Sequence, residues 1–380
     1  MNTTFRQVLA LSATLLFGLS QAVPARAVQF SYLDANYSQQ IFAAPLTPNQ
    51  EAGMAWTTSG NLLTRAGNQI LEHSLTQNVT VNGTNVHGVT TSHTITGLST
   101  SGYGMTTGFD GKIYTVTGSG LERFDPNNWA TPAALMPGTV GGPGWGVTTM
   151  SNGKIAYSDS TNIYVYDPVA TTNTLIYTSG AQVDDIEAST NGFIALSGHS
   201  NGTITVINNA GSPVITFSTA TGSGGHAPDG LAFGDGVNAN AIFSNNNDGT
   251  ITEYKLSPGF TSLLSSTDIA TNFPQAYPVG GAYGDLASVG PDCAFYVTQY
   301  ENGGSNGSTP GVGTHWDDGS TTAQASIVRI SLVDSTGLEI CGFGTTTHPT
   351  PEPSSFVLAG LGAMGIWIVN RGRKKSRSVV

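Results

Sequence analysis

Three aspartates could together bind a metal ion, because each stands at or near the start of a short apolar segment. These residues are Asp185, Asp229 and Asp285. If the segments are the inner strands of neighbouring sheet units, the carboxylates converge near one axis, where their oxygens would suit Ca²⁺, a hard cation. The other interpretation is that Asp at the end of a strand caps a turn and needs no ligand.

Neighbouring polar residues could extend this acidic site. Asp184 and Glu187 lie beside Asp185 in sequence, Asn245–Asp248 offers further oxygens, and His226 could titrate or bind a metal. A lactonase-like hydrolase would need a polarising metal and a base at such a place. The sequence therefore allows a metal-dependent hydrolase but does not identify its catalytic residues.

Few other motifs point to catalysis. The chain has no phosphate-binding loop of the G-x-x-x-x-G-K type, no H-E-x-x-H sequence and no C-x-x-C pair. The run His315–Asp318 places an aromatic ring beside two carboxylates, which could contact a sugar or simply belong to a solvated loop. The motifs favour a binding protein over an enzyme, and they indicate no cofactor apart from Ca²⁺.

The charged residues divide the chain into a body and two ends. Residues 28–370 contain all 24 acidic side chains but only six of the 13 basic ones. A body this acidic repels the phosphates of nucleic acids, so nucleic acid is not expected as a partner. The same charge suits cations, or solubility in a charged extracellular matrix.

The first 27 residues are typical of a secretory signal peptide. A basic residue, Arg6, precedes the apolar run Val8–Leu19, and Ala25-Arg26-Ala27 fits the site that a signal peptidase cuts. We expect cleavage after Ala27, which would release the body outside the cytoplasm.

The C-terminus has a second set of targeting features. A polar linker at residues 345–355 contains Pro351-Glu352-Pro353, and residues 356–370 then form an apolar run without charge. The basic tail, residues 371–380, includes Arg371, Arg373, Lys374 and Lys375. Basic residues after an apolar helix stay on the cytoplasmic side, so we expect a transmembrane helix that anchors the body from outside. Its length is marginal for about 30 Å of hydrocarbon, although flanking basic side chains can reach the interface.

This three-part end resembles the PEP-CTERM sorting signal of Gram-negative bacteria, a segment also known as the ice-binding protein C-terminal domain. The resemblance covers about Pro349 to Val380 and rests on Pro351-Glu352-Pro353, the short apolar run and the arginine-rich end. It implies export, recognition at the inner membrane by a sorting enzyme (exosortase), and cleavage near the Pro-Glu-Pro motif. Proteins with this signal tend to accompany exopolysaccharide and biofilm, so the resemblance also implies a polysaccharide partner.

The body contains a repeat with a period of 42 residues. Residues 102–126 and 144–168 align without a gap and are identical at nine of 25 positions, which include a G-x-G-x-T-T start, a G-K-I turn and a D-P end. Weaker copies recur along the body. Each unit consists of short apolar strands separated by Asn-Gly or Asp-Gly turns, the strongest short hairpin signals because the turn needs positive φ.

Units of this length with several strands each predict the blades of a β-propeller, an all-β fold. We count six units within a propeller domain at residues 28–344, near 50–95, 100–140, 142–181, 182–221, 225–272 and 278–341. The segment Gln29–Phe42 is expected to add an outer strand to the last blade and close the ring. A seventh blade and a stack of β-sandwiches are the alternatives. The layout resembles six-bladed propellers of the NHL and SMP-30/gluconolactonase-like group.

The two cysteines, Cys293 and Cys341, both fall in the last unit. An exported protein reaches an oxidising compartment, so we expect a disulfide that ties down the last blade and its insertion, Glu301–Ala323. Two separate buried thiols are the other interpretation.

Three functions are compatible with these features. The first is an exported surface or matrix protein whose propeller presents loops to polysaccharide or to another protein. The second is a metal-dependent, lactonase-like hydrolase with an acidic site near the axis. The third is a purely structural matrix component without a discrete ligand. We favour the first, because the sorting signal gives a destination and the body shows no complete catalytic motif.

Overall fold

The computed structural model is an all-β protein. It describes residues 30, 32–46, 53–81, 84–100, 102, 104–142, 145–198, 201–219, 227–271, 283–300 and 325–344. In these ranges the chain forms six antiparallel sheets, a small hairpin (Val79–Val81 and Thr84–Val86) and one 3₁₀ turn, Gly236–Asn238. The predicted signal peptide, linker, apolar helix and basic tail lie outside these ranges.

The six sheets are the blades of a propeller, and the strands of each blade follow chain order from the inside outward. Blade 1 contains Met54–Trp56, Leu62–Ala66, Gln69–His73 and Val89–Thr94, and blade 2 contains Met105–Thr107, Ile113–Thr117, Gly120–Phe124 and Ala134–Leu135. Blade 3 contains Val147–Thr149, Ile155–Ser158, Asn162–Asp167 and Thr172–Thr178, and blade 4 contains Ile186–Ala188, Phe193–Gly198, Thr203–Asn208 and Pro213–Ser218. Blade 5 contains Pro228–Gly234, Ala241–Asn246, Thr250–Leu256 and Leu263–Thr271, and blade 6 contains Tyr283–Val289, Phe295–Tyr300 and Ala325–Val333.

The ring closes through the first strand of each blade. Each inner strand contacts the inner strand of the next blade, and that of blade 6 contacts that of blade 1. Apolar clusters between successive blades form the core, as where Tyr114 and Val116 of blade 2 pack with Ile155 and Tyr157 of blade 3. The six-bladed propeller predicted from the repeat is confirmed, and the stack of β-sandwiches is excluded.

The N-terminal segment fastens the last two blades together. Tyr37–Leu46 pairs antiparallel with Ala325–Val333 and forms the fourth, outer strand of blade 6, the place that the sequence predicts for this segment. The preceding strand, Tyr32–Leu33, pairs instead with the outer strand of blade 5. One short stretch of chain therefore joins blade 5 to blade 6.

The turn between the first and second strands has the same geometry in five of the blades. The turn, with one flanking residue on each side, spans five residues, as in Gly108–Lys112 and Gly290–Ala294. The N–H of the first residue donates to the carbonyl of the fifth residue, and the carbonyl of the first residue accepts from the N–H of the fourth. The fourth residue has positive φ, which suits Gly111 (72°) and Gly153 (80°) but is uncommon for Cys293 (57°). The Asp-Gly and Asn-Gly pairs therefore mark a three-residue turn that ends in a left-handed residue.

Two identities of the 42-residue repeat form equivalent ion pairs. Lys112 contacts Asp125 at 2.5 Å in blade 2, and Lys154 contacts Asp167 at 3.2 Å in blade 3. Each pair joins the start of the second strand to the end of the third. Because the side chains are partly exposed, solvent screens each pair, and its main effect is on strand register.

The last described residues return to the seam between blades 5 and 6. Glu339–Ile340 pairs with the third strand of blade 6, and Phe343–Gly344 pairs with the end of the inner strand of blade 5. The Phe343 ring is fully buried against the rings of Phe243 and Phe295, one from each blade. Both chain ends therefore contribute to this seam.

A disulfide joins the C-terminal strands to blade 6. It links Cys341 to Cys293, whose Cα atoms are 5.0 Å apart. Arg329 of blade 6 adds a bidentate ion pair with Glu339, with N–O distances of 2.8 and 2.6 Å. The turn of blade 6 is thereby covalently tied to the strand that crosses to blade 5.

Candidate functional site

Threonines of the inner strands connect successive blades around the axis. Thr107 of blade 2 donates a hydrogen bond to the carbonyl of Trp56 in blade 1, and Thr149 of blade 3 donates to the carbonyl of Thr107 over 3.0 Å. The hydroxyls of Thr106 and Thr149 lie 3.1 Å apart. The repeated Thr-Thr pair therefore holds the inner wall together through contacts between blades.

The second glycine of the G-x-G-x-T-T sequence permits this close approach. A Cβ atom on Gly104 would overlap the carbonyl oxygen of Trp145, and one on Gly146 would lie 2.7 Å from the backbone nitrogen of Ile186. A side chain at either position would push the next blade away. These glycines therefore recur because blades 2, 3 and 4 pack backbone against backbone near the axis.

Three carboxylates stand at the start of the inner strand of blade 4. Asp184 and Asp185 are buried, and Glu187 is partly exposed. Asp185 accepts a hydrogen bond from the N–H of Leu231 in blade 5 over 2.7 Å, and Glu187 accepts one from the Thr148 hydroxyl in blade 3 over 3.4 Å. This acidic cluster therefore bridges three blades.

Loss of solvent changes the proton affinity of two of these carboxyls. Burial raises the pKa of Asp185 to about 7, although the N–H groups of Leu231 and Ile186 act to lower it. Partial loss of solvent also raises the pKa of Glu187 well above its usual range, and the Asp185 charge raises it further. Both groups hold protons at pH values where an exposed carboxyl is ionised.

Such a pair is suited to two kinds of chemistry. A carboxyl that titrates near neutral pH can give or take a proton, as a general acid or base does. An ionised pair can instead ligate a cation, which would compensate the repulsion between the two charges.

The three aspartates of the predicted metal site lie on consecutive blades. Asp185 directly precedes the inner strand of blade 4, while Asp229 and Asp285 lie within those of blades 5 and 6. Asp229 is buried, and the side chain of Asp285 lies outside the described residues. Among the side chains that the structure describes, no three His, Cys, Asp or Glu residues are grouped so that they could hold a metal ion. The Ca²⁺ site stays a prediction.

The other polar residues considered for this site are engaged elsewhere or not described. Asn245 reaches blade 6, where its side-chain oxygen accepts a hydrogen bond from Gln299 over 2.8 Å. Asn246 is buried and donates to two threonine hydroxyls within blade 5. His226 and the run His315–Asp318 lie outside the described residues.

A buried arginine that no sequence motif indicates lies between blades 1 and 2. Arg65 is fully buried and donates to the carbonyls of Gly67 (2.9 Å) and Ser99 (2.5 Å) and to the hydroxyl of Thr115. The carboxylate of Glu122 accepts from the N–H of Ser99 over 2.9 Å. The backbone N–H and carbonyl of one residue, Ser99, therefore link the two opposite charges. The scarcity of basic residues in the body was the only available signal.

The targeting segments lie outside the part of the chain that the structure describes. This applies to Pro351-Glu352-Pro353, to the apolar run at residues 356–370 and to the basic tail with Arg371, Arg373, Lys374 and Lys375. Within the described ranges, no helix has the length and apolar character that crossing a membrane requires.

Comparison with family models identifies the C-terminal signal. Residues 349–374 match the PEP-CTERM protein-sorting motif. The fold and this motif together define an exported β-propeller with six blades whose sorting depends on an exosortase at the membrane. The match covers only the C-terminal tail. It therefore indicates how the protein is sorted and does not address the chemistry of the propeller.

Comparison with solved structures finds matches at low sequence identity. The virginiamycin B lyase of Staphylococcus aureus, in complex with quinupristin, is 15% identical with a TM-score of 0.46, and the match covers 78% of this chain and all of that one. A PQQ-bound aldose sugar dehydrogenase of Streptomyces coelicolor is 14% identical with a TM-score of 0.49, covering 78% and 99%. A putative gluconolactonase is also 14% identical with a TM-score of 0.49, covering 83% and 96%. No curated protein matches the sequence.

Proposed function

We propose that this protein is a cell-surface or extracellular-matrix protein whose propeller is a binding scaffold associated with exopolysaccharide or biofilm. The observation that supports the proposal is the PEP-CTERM motif at residues 349–374, which follows closely on the last strand of the propeller, Phe343–Gly344. A sorting signal delivers the domain that precedes it, so the propeller is the cargo. Its excess of acidic residues favours solubility in a hydrated matrix.

The proposed route uses each segment of the chain in turn. Residues 1–27 direct export and are removed, and residues 28–344 fold as the propeller. Residues 356–370 hold the protein in the inner membrane, with the basic tail at 371–380 on the cytoplasmic side. Cleavage near Pro351-Glu352-Pro353, within the linker at 345–355, then releases the propeller to the cell surface or the medium.

The route is tested by following the protein in a bacterium that has the exosortase. Replacing Pro351, Glu352 and Pro353 by alanine should leave an uncleaved product in the membrane fraction, whereas the unmodified protein should appear outside the membrane at lower mass. Alanine at the three threonines 345–347 of the same linker is the matched control and should be sorted normally. Normal sorting of the motif variant would contradict the proposal.

Association with polysaccharide needs a separate measurement. Enzymatic removal of the exopolysaccharide should move the released protein from the matrix fraction to the soluble medium. Replacing the buried acids Asp185 and Asp229 by asparagine should leave this association intact, because the proposal assigns binding to surface loops. Protein that stays in the matrix after the polysaccharide is removed, or that binds no glycan saturably, would instead favour a purely structural component.

A metal-dependent hydrolase is the second candidate. It is supported by the placement of Asp229 and Asp285 on the inner strands of blades 5 and 6 and of Asp185 directly before that of blade 4. On this hypothesis, a chelator, or Asp229→Ala combined with Asp285→Ala, abolishes turnover while circular dichroism shows an intact propeller. Elemental analysis of the exported protein tests it directly, because the hypothesis fails if no divalent cation accompanies the protein.

A further inference from the structure

The seam between blades 5 and 6 is closed by the two ends of the described chain. Tyr37 of the N-terminal strand lies 6.3 Å, ring to ring, from both Phe243 and Phe343. Phe343 stacks on Phe295 of blade 6 at 5.4 Å. These four rings form a single buried cluster, so the seating of the C-terminal strand and that of the N-terminal strand depend on each other.

The C-terminal strand itself is held by few backbone contacts. Its two residues, Phe343 and Gly344, pair with Gly234 and Phe233 of blade 5, and the preceding Gly342 accepts one hydrogen bond from the N–H of Asp235 over 3.0 Å. A two-residue strand at the edge of a sheet opens readily unless it is tied down. The buried ring of Phe343 is the main apolar contact of so short a strand, so we expect the strand to open locally.

The disulfide supplies the missing restraint from the opposite side of the seam. Cys341 stands one residue before Gly342, and its partner Cys293 belongs to the turn of blade 6, which is rigidly held by the two backbone hydrogen bonds of Gly290. With the bond formed, a covalent tether two residues from Phe343 adds to the pairing of Glu339–Ile340 with blade 6 and limits how far the strand can move from blade 5. Cys341 is exposed, so a small thiol reagent can reach the bond.

We propose that Cys293–Cys341 is a redox latch that keeps the strand Phe343–Gly344 seated across the seam and so couples completion of the ring to export. In the reduced chain both sulfurs are thiols, and the seam opens and closes locally. In an oxidising compartment, the two thiols exchange with the disulfide of another molecule. The two cysteines form one S–S bond. The disulfide of the other molecule is reduced: it accepts both electrons and both protons and leaves as two thiols. The last blade is then locked after the chain has left the reducing cytoplasm.

Hydrogen exchange on the exported protein, with and without dithiothreitol, tests the latch. Reduction should raise the exchange rate about tenfold or more for the amides of Asp235 and Gly344 and for the strand Tyr37–Leu46. The inner strands of blades 2 and 3 provide internal references and should not change. Equal exchange in the two redox states would overturn the proposal.

Two single variants separate the lost bond from damage to the turn. Cys293→Gly removes the disulfide and places glycine at the left-handed position where blades 2 and 3 have Gly111 and Gly153. Cys341→Ser removes the disulfide and leaves the turn untouched. Both should show the fast exchange of the reduced protein and no further response to dithiothreitol. Slow exchange in Cys293→Gly would show that the strand needs no latch.

Discussion

The clearest test of the acidic cluster is the replacement of Asp185 by asparagine. The amide keeps an oxygen that can accept the hydrogen bond from the N–H of Leu231, so the contact between blades 4 and 5 is preserved. The substitution removes the negative charge of the Asp185 carboxylate, which is unfavourable because the side chain is desolvated. We therefore expect Asp185→Asn to raise the free energy of unfolding at neutral and alkaline pH.

The direction of the pKa shift determines the sign of this effect. Well below the ordinary pKa of 3.8, the carboxyl is protonated in the folded and the unfolded chain alike, and it contributes no pH dependence. Between 3.8 and about 7, the unfolded chain releases the proton first, so the free energy of unfolding falls as the pH rises. A shift of about three units corresponds to about 4 kcal/mol, which is an upper limit for Asp185.

Urea unfolding at about pH 4 and about pH 8 measures the effect. The variant and the unmodified protein should unfold at similar urea concentrations at the lower pH, and the variant should resist more urea at the higher pH. Glu187→Gln should act in the same direction. The double variant should gain less than the sum, because the Asp185 charge contributes to the raised pKa of Glu187.

An aspartate with the opposite shift provides the matched control. The N–H of Ala170 and the ammonium of Lys154 lower the pKa of Asp167, so its ionised form stabilises the fold and this contribution is lost as the pH falls. Asp167→Asn should therefore lower the free energy of unfolding slightly at about pH 8. If Asp185→Asn also lowered the free energy of unfolding at about pH 8, the desolvation argument would be refuted. A cation that compensates the charge of Asp185 would then explain the result better.

Three further substitutions test the contacts between blades, each by urea unfolding. Arg65→Met should lower the free energy of unfolding by about 3 kcal/mol, because the buried carbonyls and the Thr115 hydroxyl lose their charged donor; a loss below about 1 kcal/mol would show that water replaces it. Gly104→Ala should cost more than about 3 kcal/mol or prevent folding, since the added methyl overlaps the Trp145 carbonyl. Gly180→Ala, which meets no atom within 4 Å, is its control and should change stability by less than about 0.5 kcal/mol. Thr149→Val removes a buried hydrogen bond and should cost about 1–2 kcal/mol, whereas a neutral result would mean that the inner wall needs no hydroxyl.

The repeat made the architecture predictable because its identities sit where blades constrain the chain most. Gly111 and Gly153 occupy the left-handed turn, Gly104 and Gly146 touch the next blade, and the lysine after each turn meets the aspartate of the D-P end. A blade can repeat only if these local requirements repeat. The period of 42 residues therefore predicted both the number of strands in a blade and the arrangement of the blades in a closed ring.

Another relation between blades could not be read from the sequence. Blades 2 and 6 share a cluster in which a tyrosine hydroxyl donates to an aspartate over 3.0 Å and an arginine contacts the same carboxylate, at 3.4 Å in blade 2 and 2.7 Å in blade 6. The members are Asp110, Tyr114 and Arg123 in blade 2 and Asp292, Tyr296 and Arg329 in blade 6. The insertion after Tyr300 separates the last two residues of the second set, so no fixed spacing links them.

The candidate site was only partly predictable, since charge is visible in a sequence but burial is not. The spacing of Asp185, Asp229 and Asp285 pointed to the inner strands; the backbone places Asp229 and Asp285 within them and Asp185 directly before one. The proton affinities of Asp185 and Glu187 follow from the atoms that enclose them, which come from blades distant in sequence. In the sequence, Arg65 is simply one of the few basic residues of the body. Two of its hydrogen-bond partners are distant in sequence and become visible only in the fold.

The position of the latch has a consequence for sorting. The last described strand ends at Gly344, and the Pro-Glu-Pro motif begins seven residues later at Pro351. Seven residues span at most about 25 Å when extended, so a sorting enzyme that cuts there works close to the seam between blades 5 and 6. Cleavage at that point leaves every strand of the ring and both cysteines in the product. The propeller can therefore lose its anchor without losing any contact that closes it, provided that the strand beside the cut is already locked.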